Sequence, residues 1–520
     1  MSNSTRTQKA FLNIAVSVLG QILSFALSFV IRTVFIRTLG ELYLGLNGLY
    51  TNILSVLNLT ELGLGTAIVI DLYRTVATND KEKTKQYLEL YRRAYFIIGA
   101  VIVLAGLALM PFLHYFVNDS ELLVGINYRL VFLLYLLNTT FSYFFFAYRQ
   151  SILQANQEEY KIRTITYIFK IVEMLLQVTG LLIFKSIYLY LFIPIVLGCI
   201  STVLKGMLCG RWYPYIREKP EGKLTKEELR TTWRNIRSVA IYKVSGCVIS
   251  STDNIILSSF ISIIITGLYS NYLVITSAIT TLLEKLFSAF TAGLGNLNVE
   301  AGENLEKKHD VFKALSFLNF WLYGFCSVCI FVLFEPFIQL WLGAEYTLGY
   351  WTEFAIMLSF LINGLQETVG THRAAYGLFY RGRYRPLFSI TLNIGISILL
   401  VKLLPSEFGI VAVLLGTVLS NLLSTWWYDA LILYKSAFKR SPKEYYLRYL
   451  LRMFFILAVA LVSRYIVSLL TLSPLLLFFA AFFLCVVVFH VPFFLLHYKS
   501  PELRYFLSSG KSLLSSKLRH

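Results

Sequence analysis

Seven polar residues near the amino terminus, Lys9, Asn13, Ser17, Gln21, Ser24, Ser28 and Arg32, follow one another at intervals of 4, 4, 4, 3, 4 and 4. On a helix this spacing keeps them along one slowly turning face. The stripe ends in a guanidinium, a permanent cation suited to anions such as phosphate. Arg37 follows in the same apolar run, FVIRTVFIRTLGELYLGLNGLY (29–50). It either joins the same anion site or anchors the helix end with its head turned to water. Two acids also sit in apolar surroundings: Glu61 in LNLTELGLGTAIV (57–69) and Asp253 in SSTDNIIL (250–257). Each reads as a proton or cation site. The alternatives are an ion pair with Arg32 for Glu61 and hydrogen bonds to neighbouring Ser and Thr for Asp253.

The elements that must hold these residues are membrane helices. Of 520 residues, 57% are hydrophobic and 15% charged, and the mean hydropathy is +0.65. Soluble domains carry about a quarter charged residues. Apolar runs long enough to span a bilayer recur along the whole chain and do not alternate, which excludes a β-barrel. The expected fold is an all-α polytopic membrane protein of about fourteen helices: 11–36, 43–72, 94–117, 128–148, 164–184, 187–209, 239–261, 264–290, 314–334, 350–372, 386–404, 408–434, 449–470 and 475–497. The first run is too long for a signal peptide and reads as the first span. Lys and Arg concentrate in alternate gaps such as 74–93, 211–237, 373–385 and 435–452. Both termini are therefore expected in the cytoplasm. The formal charge of +18 follows from this topology and does not imply nucleic-acid binding.

Aligning Gly45 in LGLNGLYTN (44–52) with Gly267 in TGLYSNYLV (266–274) gives an offset of 222 residues. At that offset Gln21 meets Lys243, Ser28 meets Ser250 and Arg32 meets Asn254, all polar positions. The first helix thus pairs with the seventh in the same orientation, which implies two parallel six-helix lobes. The expected organisation is an amino-terminal lobe (1–210), a cytoplasmic linker (211–238), a carboxyl-terminal lobe (239–435), and two further helices with a tail (436–520). The candidate substrate-binding set is Arg32, Arg37, Gln21, Ser28, Lys243 and Asn254. The ion-coupling candidates are Glu61 and Asp253.

An Arg at the bilayer centre costs about 2.5–3.5 kcal/mol on insertion scales, so the deeper Arg32 is the stronger functional candidate. Lys170 and Glu173, three apart, are expected to pair with each other in a structural role. Glu367, with Gln366 and His372, lies nearer the cytoplasmic surface and is a weaker candidate. Cys326 and Cys329 form C-x-x-C in an apolar segment with no second pair and read as small hydrophobic residues. No Gly-rich phosphate loop, H-E-x-x-H or Ser-His-Asp order is present, so neither an ATP-driven pump nor an enzyme is expected, and no cofactor or metal is implied.

With FIRTLGELYLGLNGLYTNILSVLNLTELGLGTAIVIDLYR (35–74) and STDNIILSSFISIIITGLYSNYLVI (251–275), the chain resembles the polysaccharide-export branch, the Wzx-type oligosaccharide flippases, of the multidrug/oligosaccharidyl-lipid/polysaccharide (MOP) transporter superfamily. The resemblance covers most of the chain. It implies a two-lobed alternating-access flippase in the bacterial cytoplasmic membrane. Its cargo would be an oligosaccharide on undecaprenyl diphosphate, for capsule or another surface polysaccharide. It further implies a coupling ion, proton or sodium, and partnership with a glycosyltransferase or polymerase of the same pathway. A lipid II-type flippase and a multidrug cation antiporter share the fold and stand as alternatives. By the same resemblance Arg32, then Arg37, would meet the diphosphate.

Overall fold

The computed structural model describes residues 6–58, 71–116, 127–291, 294–295, 297 and 304–504, less 74, 77, 157, 289 and 379. Among these the chain is helical, without strands. Fourteen principal helices run in order: α1 Arg6–Leu39, α2 Glu41–Leu57, α3 Lys81–Leu109, α4 Tyr128–Phe144, α5 Glu159–Phe184, α6 Ile187–Trp212, α7 Lys226–Phe260, α8 Ile263–Ser288, α9 Leu305–Trp341, α10 Tyr350–Gly364, α11 Arg385–Leu403, α12 Gly409–Asn421, α13 Lys443–Ser468 and α14 Pro474–His497. Ten described helices are individually long and apolar enough to cross a membrane. An eleventh span is the pair Tyr128–Phe144 and Phe146–Ala155, bent by 55°. The other three expected spans fall on α2, α7 and α10. The described part of α2 is 17 residues, α7 begins in a charged segment, and α10 breaks after 15 residues before a short helix, Glu367–Ala375. The fold is thus an all-α polytopic membrane fold of about fourteen helices.

Local chemistry explains the breaks. The six-residue gap expected between the first two spans shrinks to Gly40, whose φ of 86° suits a residue without Cβ. Gly343 and Gly349, at φ 123° and 80°, frame the turn from α9 to α10. The expected linker is only partly a linker. Thr225 and Glu228 form a reciprocal capping box, and from Lys226 one helix of 35 residues runs straight into the seventh span.

Packing divides the chain into two units, Met1–Gly267 and Leu268–His520. In the first, α3 packs on α4, α4 on α6, and α6 on α5, with α1 along α5 and α2 along α7. In the second, α9 packs on α10, α10 on α12, and α12 on α11. The pairings 3–4, 4–6 and 5–6 thus recur as 9–10, 10–12 and 11–12, the parallel repeat read from the 222-residue offset. Helices α13 and α14 both pack against α9. That helix forms the centre of its unit, with Phe312, Phe317, Phe320 and Phe331 fully buried. Along α14, Leu476, Phe479 and Phe483 stay exposed while Cys485, Phe489 and Phe493 are buried, so one face meets α9 and the other suits lipid.

The two glycines that anchor the repeat touch. A Cβ on Gly45 would stand 2.1 Å from the carbonyl oxygen of Ile263, and one on Gly267 would stand 2.9 Å from the Gly45 nitrogen. Their small size allows close backbone approach at a helix crossing.

Candidate functional site

Within the first unit, α1, α2, α4, α5 and α6 enclose a polar cavity of about 420 Å³. Its size lies within the 300–1,000 Å³ typical of ligand pockets. On α2 the lining residues Asn47, Thr51, Ser55 and Asn58 are spaced 4, 4 and 3, a second polar stripe on one helix face. Helix α4 adds Tyr135, Asn138 and Thr139. Helix α5 adds Lys170, Glu173 and Gln177, and α6 adds Tyr190. The Tyr135 hydroxyl donates to Asn47 Oδ1 at 2.8 Å, and Gln177 Nε2 donates to the Tyr190 carbonyl at 3.0 Å. Asn58 Oδ1 is buried and accepts no hydrogen bond from the described residues. Ionisable groups within membrane helices mark pathways and binding sites more often than they serve packing alone.

Lys170 and Glu173, three residues apart, stand in electrostatic reach of each other. No ion pair among the described residues joins them, and both line the cavity. One helix stripe therefore offers a cation and a carboxylate to the same polar space. The polar faces of α2 and α5 were accessible to the spacing argument applied to α1.

The expected site residues separate. Ser28, with Leu27 and Ile31, lines the cavity. Arg32 does not itself line it, but it follows Ile31 directly and lies in electrostatic reach of the lining Tyr190, as does Glu173. Gln21 is half-buried two turns earlier on α1 and does not line the cavity. Asn13, from the same stripe, is structural. Its Oδ1 accepts from the Tyr160 backbone N–H at 2.7 Å, capping the start of α5. Part of the stripe therefore serves the packing of α1 on α5. Arg37 is exposed in the last turn of α1, consistent with an anchoring role. Asp253 and Asn254 are both buried on α7, away from the cavity lining, and Asn254 Oδ1 has no described partner. Glu61 and the side chains of Lys9 and Lys243 lie outside the described residues.

The second unit carries two buried charged clusters that sequence reasoning missed. Arg464 on α13 pairs with Glu335 on α9 and with Glu353 on α10, the latter at 3.1 Å and fully buried. Arg464 also donates to the carbonyls of Val332 and Phe331 at 3.3 and 3.4 Å. Val332 is four residues before Pro336, whose missing N–H leaves that carbonyl without its helical donor. In the second cluster, Asp429 is held by Arg373 and Arg385. Gln366 behaves structurally: it donates to Asn421 Oδ1 at 2.6 Å, and Asn421 donates to Asn363 Oδ1 at 2.6 Å. His372 is fully buried with Nδ1 2.8 Å from the Thr368 carbonyl.

The chain is thus a bundle of about fourteen spans in two packed units, with a polar cavity among the helices of the first. The model of the family described as polysaccharide biosynthesis protein matches residues 11–291, more than half the chain. The protein belongs to that family. Its fold is similar to the inward closed conformation of the lipid II flippase MurJ, with a TM-score of 0.65 and 15% identity over 94% of this chain and 99% of that one. It is also similar to an inward-facing multidrug resistance MATE family transporter of the MOP superfamily, with a TM-score of 0.56 and 14% identity over 80% and 96%. A third likeness is to a mutant of the Vibrio cholerae MATE transporter VcmN, with a TM-score of 0.51 and 14% identity over 84% and 100%. No curated protein sequence matches significantly.

Proposed function

We propose that the protein is a flippase for undecaprenyl-diphosphate-linked oligosaccharide repeat units. It carries them from the inner to the outer leaflet of a bacterial cytoplasmic membrane by alternating access, for capsule or another surface polysaccharide. Its termini face the cytoplasm. The observation that carries this reading is the polar cavity of the first unit, with Ser28 on its wall and the Arg32 charge beside it, in a chain of the polysaccharide biosynthesis family. Hydroxyl and amide groups suit a sugar. Lys170 and Arg32 suit a diphosphate, whose charge would otherwise meet hydrocarbon.

Transport needs no cofactor in this scheme. Coupling to a proton or sodium falls to Glu61 or Asp253, and Glu173 joins them through its place on the cavity wall. Glu61→Gln is expected to alter the dependence of flipping on pH or sodium; normal flipping with unchanged dependence would restrict Glu61 to packing. A glycosyltransferase or polymerase of the same pathway is the expected partner.

Purified Arg32→Ala and Arg32→Lys, reconstituted in proteoliposomes, are expected to flip less lipid-linked oligosaccharide while remaining folded. Wild-type flipping by folded Arg32→Ala would remove Arg32 from the site. Deletion of the gene should abolish one surface glycan and accumulate its lipid-linked intermediate. The likeness to MurJ favours lipid II as the second reading; lethal loss of cell-wall synthesis on deletion would select it instead.

A further inference from the structure

At the junction between the twelfth and thirteenth spans, Lys435, Lys439, Arg440, Ser441 and Lys443 line an open groove of about 730 Å³ with Leu431 and Tyr446. This junction lies on the face that the Lys/Arg bias assigns to the cytoplasm. Lys435, Lys439 and Lys443 are exposed, and no carboxylate among the described residues pairs with them. The nearest acid in sequence, Glu444, is engaged by Arg448 at 2.7 Å, and Arg440 reaches Glu306 at 3.2 Å. Three lysine charges therefore face the groove uncompensated. Lys439 holds its position through a left-handed backbone, φ 51°, that ends the preceding helix and turns the chain toward α13.

Two further features give the groove a direction. It includes the start of α13, where Lys443 is the first helical residue and the helix dipole adds partial positive charge. From Lys443 the exposed face of α13 continues through Leu447, Leu450, Leu451 and Phe454 at intervals of 4, 3, 1 and 3. These four are 46–73% exposed, so the helix face that begins in a cation becomes an unbroken apolar strip. A free phosphate would use the groove and ignore the strip. A lipid would use both, its phosphate in the groove and its chains along α13.

We propose that this groove is a binding site for the phosphate headgroup of an anionic membrane lipid, distinct from the cavity of the first unit. Binding there ties the junction to the membrane surface and does not depend on the cargo assigned above.

The deciding experiment places the full-length protein in nanodiscs of zwitterionic lipid doped with phosphatidylglycerol, with retained lipid read by native mass spectrometry after mild detergent release. Wild type is expected to retain phosphatidylglycerol selectively. The triple variant Lys435→Gln, Lys439→Gln, Lys443→Gln is expected to lose on the order of 100-fold in that preference, about five-fold for each lysine at roughly 1 kcal/mol. Leu447→Ser with Leu451→Ser should weaken lipid retention while leaving binding of free glycerol phosphate unchanged. Equal retention of the two lipids by wild type, or an unchanged preference in the folded triple variant, would overturn the proposal. So would glycerol phosphate displacing no lipid at millimolar concentration. Since the readout is binding, failure of the flippase assignment would leave this result standing.

Discussion

Arg32 and Arg37 stand five residues apart on one helix yet meet different surroundings. Arg37 can hydrate at the end of α1, whereas Arg32 is half-buried beside the Tyr190 wall of the cavity. Arg37→Ala should therefore leave flipping within about two-fold of wild type, against a much larger loss for Arg32→Ala, in the same proteoliposome assay. Gly45 makes a sharper residue-scale case. Gly45→Ala would press a methyl against the Ile263 carbonyl at 2.1 Å, and backbone cannot swing aside as a flexible side chain can. A loss of about 1–3 kcal/mol is expected, read as a lower melting temperature of the purified protein. Gly370, with open space around its Cβ position, is the control and should tolerate Ala far better. The Gly45–Gly267 alignment was legible in the sequence, but their contact was not, because a repeat identifies equivalent positions and says nothing of which ones meet.

At the scale of elements, α9, α10 and α13 are joined by Arg464. Removing one member of a buried ion pair typically costs about 3–5 kcal/mol because the partner keeps its desolvation cost. Arg464→Met should therefore lower thermal stability strongly, and adding Glu353→Gln should recover part of the loss; a cycle with no recovery would deny the coupling. Outside the membrane segments, the start of α7 is tied to α3 by Glu228 and Lys83 at 2.7 Å. The Lys83 ammonium, with the Thr225 backbone and hydroxyl, holds the Glu228 carboxyl down to about 2 from its ordinary 4.5. A depressed carboxylate stabilises the folded state above its unfolded value and loses that contribution as pH falls through the folded one. Hydrogen-exchange protection at the start of α7, taken relative to the intrinsic exchange rate at each pH, should thus fall between about pH 4.5 and 2, and Glu228→Gln should remove that dependence. Span positions and the repeat were readable because apolar length and period are local properties. The continuity of α7 through the expected linker was harder to see, since its charged first half resembles surface chain until the capping box is noticed. The Arg464 cluster was not readable at all: Arg464 lies more than a hundred residues from Glu335 and Glu353, and the three carry no shared spacing.

For the whole molecule, the electrical force on the cargo follows from its charge. A diphosphate with two uncompensated negative charges moving outward across an inside-negative 100 mV gains about 4.6 kcal/mol, roughly 2.3 per charge. If Arg32 and Lys170 travel with their unit and neutralise the diphosphate, that gain shrinks. Flipping by wild type should therefore depend less on imposed potential than flipping by a residually active Lys170→Gln, measured with valinomycin-clamped proteoliposomes. The same weighing of charge against partner bears on how the chain is made. Pro336 frees a carbonyl on α9, and Glu335 and Glu353 wait beside it for an arginine that lies more than a hundred residues downstream. At about 5–20 residues per second, the ribosome leaves that group unanswered for roughly 6–25 s. During synthesis α9 and α10 must hold two acids and a bare carbonyl without their cation, and the thirteenth helix, appended beyond the repeat, is the piece that closes the second unit.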